Sequence, residues 1–329
     1  MNVLSASPVR QRRTGASLGV LRVFRRNLPA RIGAALVAAF VLVALLAPLL
    51  APPQGNCRRD LSLSDTQVWP GPLAYVREVL APPPACLQMP RQGFASQPTP
   101  PQVGAPLGRV NGYDIRYGLV WGTRTALFLG ITVVTISLAV GGLVGLLAGY
   151  FGGALDNVLM RLTDVTFAFP GLVLVLVAAL GPGLGNIILA LSLVSWVGIA
   201  RVLRSEVLRL REVEFVAAAR GLGLRHLRIA FRHILPNALG PVLSLVVLEM
   251  GSLPILAGAL SFLGLGTPVG FADWGQLIAL AQKWIQGPSG QPFAYWYVTL
   301  FPGLCIALYS LGWNLLGDAV SESFDPRNR

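Results

Sequence analysis

Few residues in this 329-residue chain have the type and spacing that chemistry requires. Its two histidines, His226 and His233, fall in one arginine-rich stretch, and no cysteine, aspartate or glutamate completes a metal site with them. They read as interface residues. Serine and histidine never fall together in an apolar segment, and no His-Glu-x-x-His occurs, so an intramembrane enzyme lacks both its nucleophile–base pair and its metal ligands. A phosphate loop needs Gly-Lys-Ser/Thr, whose lysine reaches the phosphates. The only lysine is Lys283, and Trp284 follows it, so the chain has no Walker A motif. Neither a cofactor nor a metal is expected.

What remains is a short set of charged and sulfur groups. Glu249 lies in the middle of an apolar segment, where an ionised carboxylate costs roughly 3 kcal/mol. It either faces a polar pathway or makes a protonated interhelical contact, and both readings stand. Asp156, Arg161 and Asp164 gather at the end of another segment. Arg161 and Asp164, three apart, share a helix face, which predicts a salt-bridged helix end ahead of a proton relay. Cys57 and Cys86 bracket a proline-rich stretch and are either bridged or two free thiols, whereas Cys305 sits in an apolar segment as packing.

The elements that must position these groups are membrane helices. Hydrophobic residues make up 54% of the chain and charged ones only 12%, against about a quarter charged in soluble domains. Mean hydropathy is +0.64. Apolar runs predict spans at about 32–50, 119–148, 158–180, 187–203, 239–265 and 296–316, and the first, nineteen residues without a charge, is long enough for a hydrocarbon core of about 30 Å. The first could be a signal peptide, but its apolar run is too long and lies too far from the start for one.

The net charge of +12 does not indicate nucleic acid, because the arginines collect at the N-terminus and between Arg201 and Arg232. With both termini in the cytoplasm, both clusters fall inside, as the positive-inside rule demands. Residues 204–237 then form a cytoplasmic loop holding seven arginines, while 266–295 is external with Lys283 as its one basic residue. Trp274, Trp284, Tyr295, Trp296 and Tyr297 cluster on that outer side as an interfacial aromatic belt. The expected division is a cytoplasmic segment 1–31, a first span 32–50, and a proline-rich external segment 51–117. A five-helix core follows at 118–318, then a cytoplasmic tail at 319–329. The long external segment, with its Pro-Pro pairs, predicts no single regular element and loose packing on the membrane surface. Gly141, Gly145 and Gly149 repeat every four residues, which puts a smooth face on the second span or reflects only the glycine richness of membrane helices.

The stretch 204–237 carries the most information. Its alanine- and arginine-rich turns, Gly221, Gly223 and Pro236 predict two short helices with a glycine break. Apolar residues among basic ones suit an interfacial helix on anionic lipid or a docking element for a cytoplasmic partner. The run Glu214-Phe-Val-Ala-Ala-Ala-Arg-Gly-Leu-Gly223, followed by His233-Ile-Leu-Pro-Asn237, resembles the EAA loop of binding-protein-dependent ABC permeases. Ala218, Ala219, Gly223, Leu235 and Pro236 match that motif. The acid that names it falls at Ala217, and Glu214, one turn earlier, offers a carboxylate on the same face. Gly149-Tyr-Phe-Gly-Gly153, Asp156, Asp164, Phe169-Pro170, Leu260-Ser-Phe-Leu-Gly-Leu-Gly266, Trp274-Gly275, Asn314-Leu-Leu-Gly-Asp318 and Asp325-Pro-Arg327 extend the likeness to C-type subunits of dipeptide, oligopeptide and nickel importers.

That resemblance implies an all-α polytopic fold of six transmembrane helices with a MetI-like permease core. It implies that Glu214, Ala218, Ala219, Gly223, His233, Leu235 and Pro236 dock on an ATPase. The implied partners are a homologous B-type permease subunit, two P-loop ATPase subunits and an extracytoplasmic solute-binding protein. Di- or oligopeptides lead as substrate, ahead of nickel or another small solute. A rival class, the ion-coupled secondary transporter, would favour several intramembrane acids and inverted repeats, and only Glu249 is central.

Overall fold

The computed structural model describes residues 27–52, 84–93, 97–168, 171–288 and 290–324. Cys57, Phe169, Pro170, the arginines up to Arg26, much of the proline-rich segment and Asp325-Pro-Arg327 lie outside the described residues. The described residues are mostly helical. In order come α1 (Leu28–Leu45), the short α2 (Ala47–Leu50), β1 (Arg109–Val110), β2 (Tyr113–Asp114) and α3 (Ile115–Phe151). Then follow α4 (Gly153–Ala168), α5 (Leu172–Leu180), α6 (Leu184–Arg211), α7 (Glu214–Gly221), α8 (His226–Ile229) and a π-helical turn (Ala230–Ile234). The last three are α9 (Leu235–Phe262), α10 (Trp274–Ala281) and α11 (Trp296–Phe324).

Five runs are long and apolar enough to cross a membrane: α1, α3, α6, the unbroken His226–Phe262 and α11. A sixth candidate is a bent pair, α4 and α5, inclined at 73° to each other. The sequence predicts one apolar span over 158–180. The sequence there, Phe169-Pro170-Gly171, combines a residue that cannot donate a ladder hydrogen bond with one that weakens helices.

The longest helix has a built start. Asn111 and Gly112 adopt φ of 50° and 83°, closing a two-residue hairpin in which Arg109 faces Asp114 and Val110 faces Tyr113. Asn-Gly is the pair such a turn favours, because both central residues need positive φ. Asp114 then caps α3, accepting from the N–H of Arg116 at 2.8 Å and of Tyr117 at 3.3 Å.

The described part of the proline-rich segment, expected to be external and loosely packed, is stitched down. Met89 N–H donates to Gly270 O at 2.7 Å, and Ala272 N–H to Leu87 O at 2.6 Å. Trp121 donates to Ala51 O at 3.0 Å, and Tyr117 O–H to Cys86 O at 2.9 Å. Cys86 is buried and disulfide-bonded, and Cys305 is free. Of the expected aromatic belt, Trp274 and Tyr297 instead belong to the core, and Trp274 donates to Leu119 O at 2.9 Å.

Arg124, only 6% exposed, explains how α1 ends. Its Nε donates to Ala44 O at 2.6 Å, and its guanidinium lies 4.7 Å from the Trp121 ring centre. A cation on the last carbonyls of a helix satisfies acceptors that have no partner within that helix. At its other end α1 is tied to α11 by Asn27, which donates to Glu322 at 2.7 Å. Glycines let these two helices approach: a Cβ at Gly33 would lie 2.8 Å from Leu315 Cβ, and one at Gly312 would lie 2.9 Å from Leu36 Cβ.

The central contact is α3 against α6, the most extensive of any helix pair. Gly141, Gly145 and Gly149 all face it. A Cβ on Gly145 would sit 2.5 Å from Ala200 O, one on Gly149 2.8 Å from Val207 Cβ, and one on Gly141 would strike Trp196 O. In lipid, helix association depends on close packing because the solvent is itself apolar, so a side-chain-free face is a direct source of adhesion. The glycine repeat is thus a packing face.

Candidate docking surface

The segment 204–237 is helical for most of its length. α6 runs on to Arg211, eight residues past the expected end of its span. It then turns at Glu212 and Val213 into α7, whose first residue, Glu214, places a negative charge at the positive end of the helix. α7 buries Val216 and Ala219 and leaves Glu214, Phe215, Ala217, Ala218 and Arg220 exposed.

The end of α7 shows why a glycine is needed at 223. Leu224 N–H donates to Ala219 O at 3.2 Å, and Gly223 N–H to Arg220 O at 2.9 Å. With Gly223 at φ 73°, this is a Schellman cap, whose left-handed residue carries no side-chain penalty only when it is glycine. The cap turns the chain straight into α8. From there one run leads through the π-helical turn into α9, where Leu235 N–H donates to Ala230 O. Pro236, next in line, has no N–H to give to a regular ladder, and a widened turn is one way to accommodate it. The expected pair of short helices is therefore one short helix, a glycine cap, and the first turns of the fifth span.

This element sits on the ends of α3 and α6. Val216, Ala219, Ile229, Ala230 and Ile234 pack with Leu146, Tyr150, Ile199, Leu203, Val207 and Leu210. Tyr150 O–H and His226 Nδ1 lie 3.0 Å apart, Arg220 stands 5.9 Å from the Tyr150 ring centre, and Arg211 donates to Gly149 O at 3.3 Å. His233 is half-buried and its carbonyl accepts from Asn237 at 2.6 Å. Leu235 is half-buried and Pro236 exposed. The Tyr150–His226 contact escaped sequence reasoning, since nothing in the spacing joins residues 76 apart.

The outward side of the same element is apolar and basic together. Leu222 is 81% exposed and Leu227 57%, and Phe215 and Phe231 are also exposed. Arg220, Arg225, Arg228 and Arg232 are exposed around them. Exposed apolar side chains interspersed with exposed arginines suit an interaction surface.

Two ion pairs brace the neighbouring α4 against α6. Arg204 holds Asp156 bidentately at 2.5 and 2.6 Å, and Arg201 pairs with Asp164 at 2.8 Å while stacking 4.9 Å from the Phe167 ring centre. The expected partner of Asp164 was Arg161 on the same helix. Arg161 is exposed and makes no ion pair among the described residues, because Arg201 reaches Asp164 across the helix interface. Asp156→Arg alone should lower the unfolding midpoint of the detergent-extracted protein, a loss of about 1–3 kcal/mol for a charge-assisted pair turned repulsive. Combined with Arg204→Asp, it should regain more than half of that loss; no recovery would deny the pair a bracing role.

Glu249 is half-buried in α9, and its Oε2 is enclosed with no hydrogen-bond donor. Gly198 of α6 lies beside it, such that a Cβ there would stand 3.9 Å from Glu249 Oε1. The interhelical hydrogen bond that the sequence left open is not made among the described residues.

Comparison with known proteins places these features together. The family model for the binding-protein-dependent transport system inner membrane component matches residues 141–329. A second, for the N-terminal TM domain of oligopeptide transport permease C, matches residues 18–70. The chain is 36% identical over 218 residues to the dipeptide transport system permease protein DppC of Alkalihalophilus pseudofirmus, covering 66% of this chain and 69% of that one. It is 33% identical over 245 residues to DppC of Bacillus subtilis, covering 73% and 74%. Against the glutathione transport system permease protein GsiD of Pectobacterium atrosepticum it is 36% identical over 219 residues, covering 66% and 70%.

Proposed function

Because the chain belongs to the family of inner membrane components of binding-protein-dependent transport systems, we propose that it forms half of the translocation pathway of a peptide importer. It is a multi-pass bacterial inner membrane protein, a transport subunit and not an enzyme, and its family works with ATPases and a solute-binding protein. The observation that carries the finer reading is the apolar, arginine-rimmed face of α7 and α8, backed by a core that locks it to α3 and α6.

In this reading the termini are cytoplasmic, and the face with Glu214, Ala218, Ala219, Gly223, His233, Leu235 and Pro236 enters a cleft on one of two P-loop ATPases. Glu214 supplies the carboxylate that Ala217 lacks, since both residues are exposed on α7, three apart. Closure of the ATPases moves the docked element as a rigid body, and the shared core passes that motion to α3 and α6. A homologous B-type permease completes the pathway, and di- or oligopeptides reach it from a solute-binding protein on the outer side. An interfacial helix lying on lipid would also bury Leu222 and Leu227, but it would not need the Schellman cap that presents them at a corner.

The test is to tag the C-terminus, extract in mild detergent and identify what co-purifies. Two P-loop ATPase chains and a second six-span permease are expected. Recovery of this chain alone, or as a homo-oligomer that transports without ATP, would contradict the reading. The outer segment gives a separate check. Cys57, outside the described residues, is the proposed partner of Cys86, on the oxidising side of the membrane. Non-reducing peptide mapping should recover a linked Cys57–Cys86 pair with Cys305 alkylated. Alkylation of Cys86 without reductant would count against the bridge and against the external placement of this segment.

A further inference from the structure

Two glycines, Gly152 and Gly153, at φ of 67° and 59°, turn the chain out of α3 and into α4. The ion pairs to α6 show which way α4 then runs. Asp156 and Asp164 are eight residues apart, about 12 Å along α4, but their partners Arg204 and Arg201 are three apart, about 4.5 Å along α6. α4 therefore crosses α6 steeply. α5 instead runs beside α6: Leu180 O accepts from Asn186 at 3.0 Å, and Val173, Leu176 and Val177 share one cluster with Ile187, Ile188 and Leu191. α4 stands at 73° to α5, so both measures lay it across the span direction. Its level is set as well. Arg201 lies seventeen residues, about 26 Å, from Leu184 at the other end of α6, close to the thickness of a hydrocarbon core of about 30 Å.

Of the sixteen residues of α4 only Thr163 is buried. With the half-buried Leu159 and Met160 it makes the face turned to the protein. Leu155, Val158, Leu162 and Val165, spaced three and four apart, make a second face, and all four are exposed. Asn157, Arg161 and Ala168, four and seven apart, make a third, also exposed. Arg161 has no ion pair among the described residues, and a cation is disfavoured in hydrocarbon. An apolar face beside a polar one that carries a free cation is the pattern of a helix lying in a membrane surface.

We propose that α4 lies in the plane of the membrane at the headgroup level of the cytoplasmic leaflet. Leu155, Val158, Leu162 and Val165 enter the acyl boundary, and Asn157 and Arg161 stay among the phospholipid headgroups. Arg201 and Arg204 hold this flat helix to the end of α6, and the crossing between α3 and α6 is left to the stretch that contains α5. The placement rests on the reading that residues 204–237 are cytoplasmic, because Arg204 ties α4 to that end of α6.

The test is spin-label depth in the complete complex, reconstituted in phospholipid vesicles on a Cys305→Ala background. Nitroxides on Val158→Cys, Leu162→Cys and Val165→Cys report depth through collisions with oxygen and with a water-soluble nickel chelate. The substituted positions are exposed, so packing is preserved. The three labels should lie within about 4 Å of one depth, whereas an upright helix would descend about 10 Å over these seven residues. Labels on Asn157→Cys, Arg161→Cys and Ala168→Cys should all meet the nickel chelate. A descent of about 10 Å, or a label on Leu162→Cys shielded from both oxygen and nickel by a protein cover, overturns the proposal. An impermeant maleimide should reach Arg161→Cys in inside-out vesicles only. Reaction from the outer side alone, with the labels still at one depth, would sink the cytoplasmic placement of 204–237 and not the flat orientation of α4.

Discussion

Replacing Leu222 and Leu227 with aspartate should strip the ATPase subunits from the purified complex while leaving the permease folded. Leu222 is 81% exposed and Leu227 57%, so neither substitution opens a cavity in this chain. Burying a leucine at a partner is worth about 1.5–3 kcal/mol, and central interface residues often cost 2 kcal/mol or more when removed. Each aspartate should therefore weaken docking by roughly 30-fold, since every 1.4 kcal/mol is tenfold. The double variant should lose the ATPases altogether in a pull-down. Val216→Asp is the contrasting control, because Val216 is fully buried against α3 and α6 and its loss should unseat the element itself. If the double aspartate variant retained its ATPases, the apolar face would lie on lipid instead.

An equally large effect is expected at Gly145, by a different route. Leucine there would drive its Cβ to within 2.5 Å of Ala200 O, a backbone atom that cannot rotate away. α3 and α6 must separate, and with them the packing of Leu146, Ile199 and Leu203 under α7 and α8. Overpacking of this kind costs typically 1–3 kcal/mol and more where backbone must move. Gly145→Leu should reduce folded protein in the membrane severalfold and abolish monodisperse extraction. Gly142→Leu, three residues earlier, has nothing within 4 Å of its new Cβ and should behave as wild type. Equal behaviour of the two variants would mean that the glycine repeat has no adhesive role.

The two predictions differ in how far they could be read from sequence. The spans were legible because long apolar runs with few charges have few other uses. The proposed docking residues rest on the motif, and what glycine does at 223 was not legible in it. Its role depends on the hydrogen bonds of Leu224 and Gly223 to α7, which only the folded turn reveals. The hairpin before α3 was available in Asn111-Gly112 and went unread, because the surrounding prolines suggested an irregular loop. Trp274 was misplaced as part of an interfacial belt, and Arg124 was not singled out by any local signal. Each is buried and bonded to a carbonyl of another segment. Such bonds join residues 80 and 155 apart, and no local signal encodes them.

The pairing of Asp164 teaches a similar limit. Residues three apart on one helix can meet, but Arg201 from the neighbouring helix, held by its stacking on Phe167, takes the carboxylate first. Spacing rules identify which partners are within reach on one element. They do not rank them against partners brought in by packing.

The most direct measurement is ATP-driven peptide uptake. The complete complex, reconstituted with its solute-binding protein, should accumulate labelled dipeptide only when ATP is inside the vesicles and the wild-type α7–α8 face is present. The Leu222→Asp, Leu227→Asp variant should accumulate none. Uptake that persists without ATP, or that the double variant sustains at the wild-type rate, would contradict the assignment of this chain as the ATPase-coupled half of a peptide pathway.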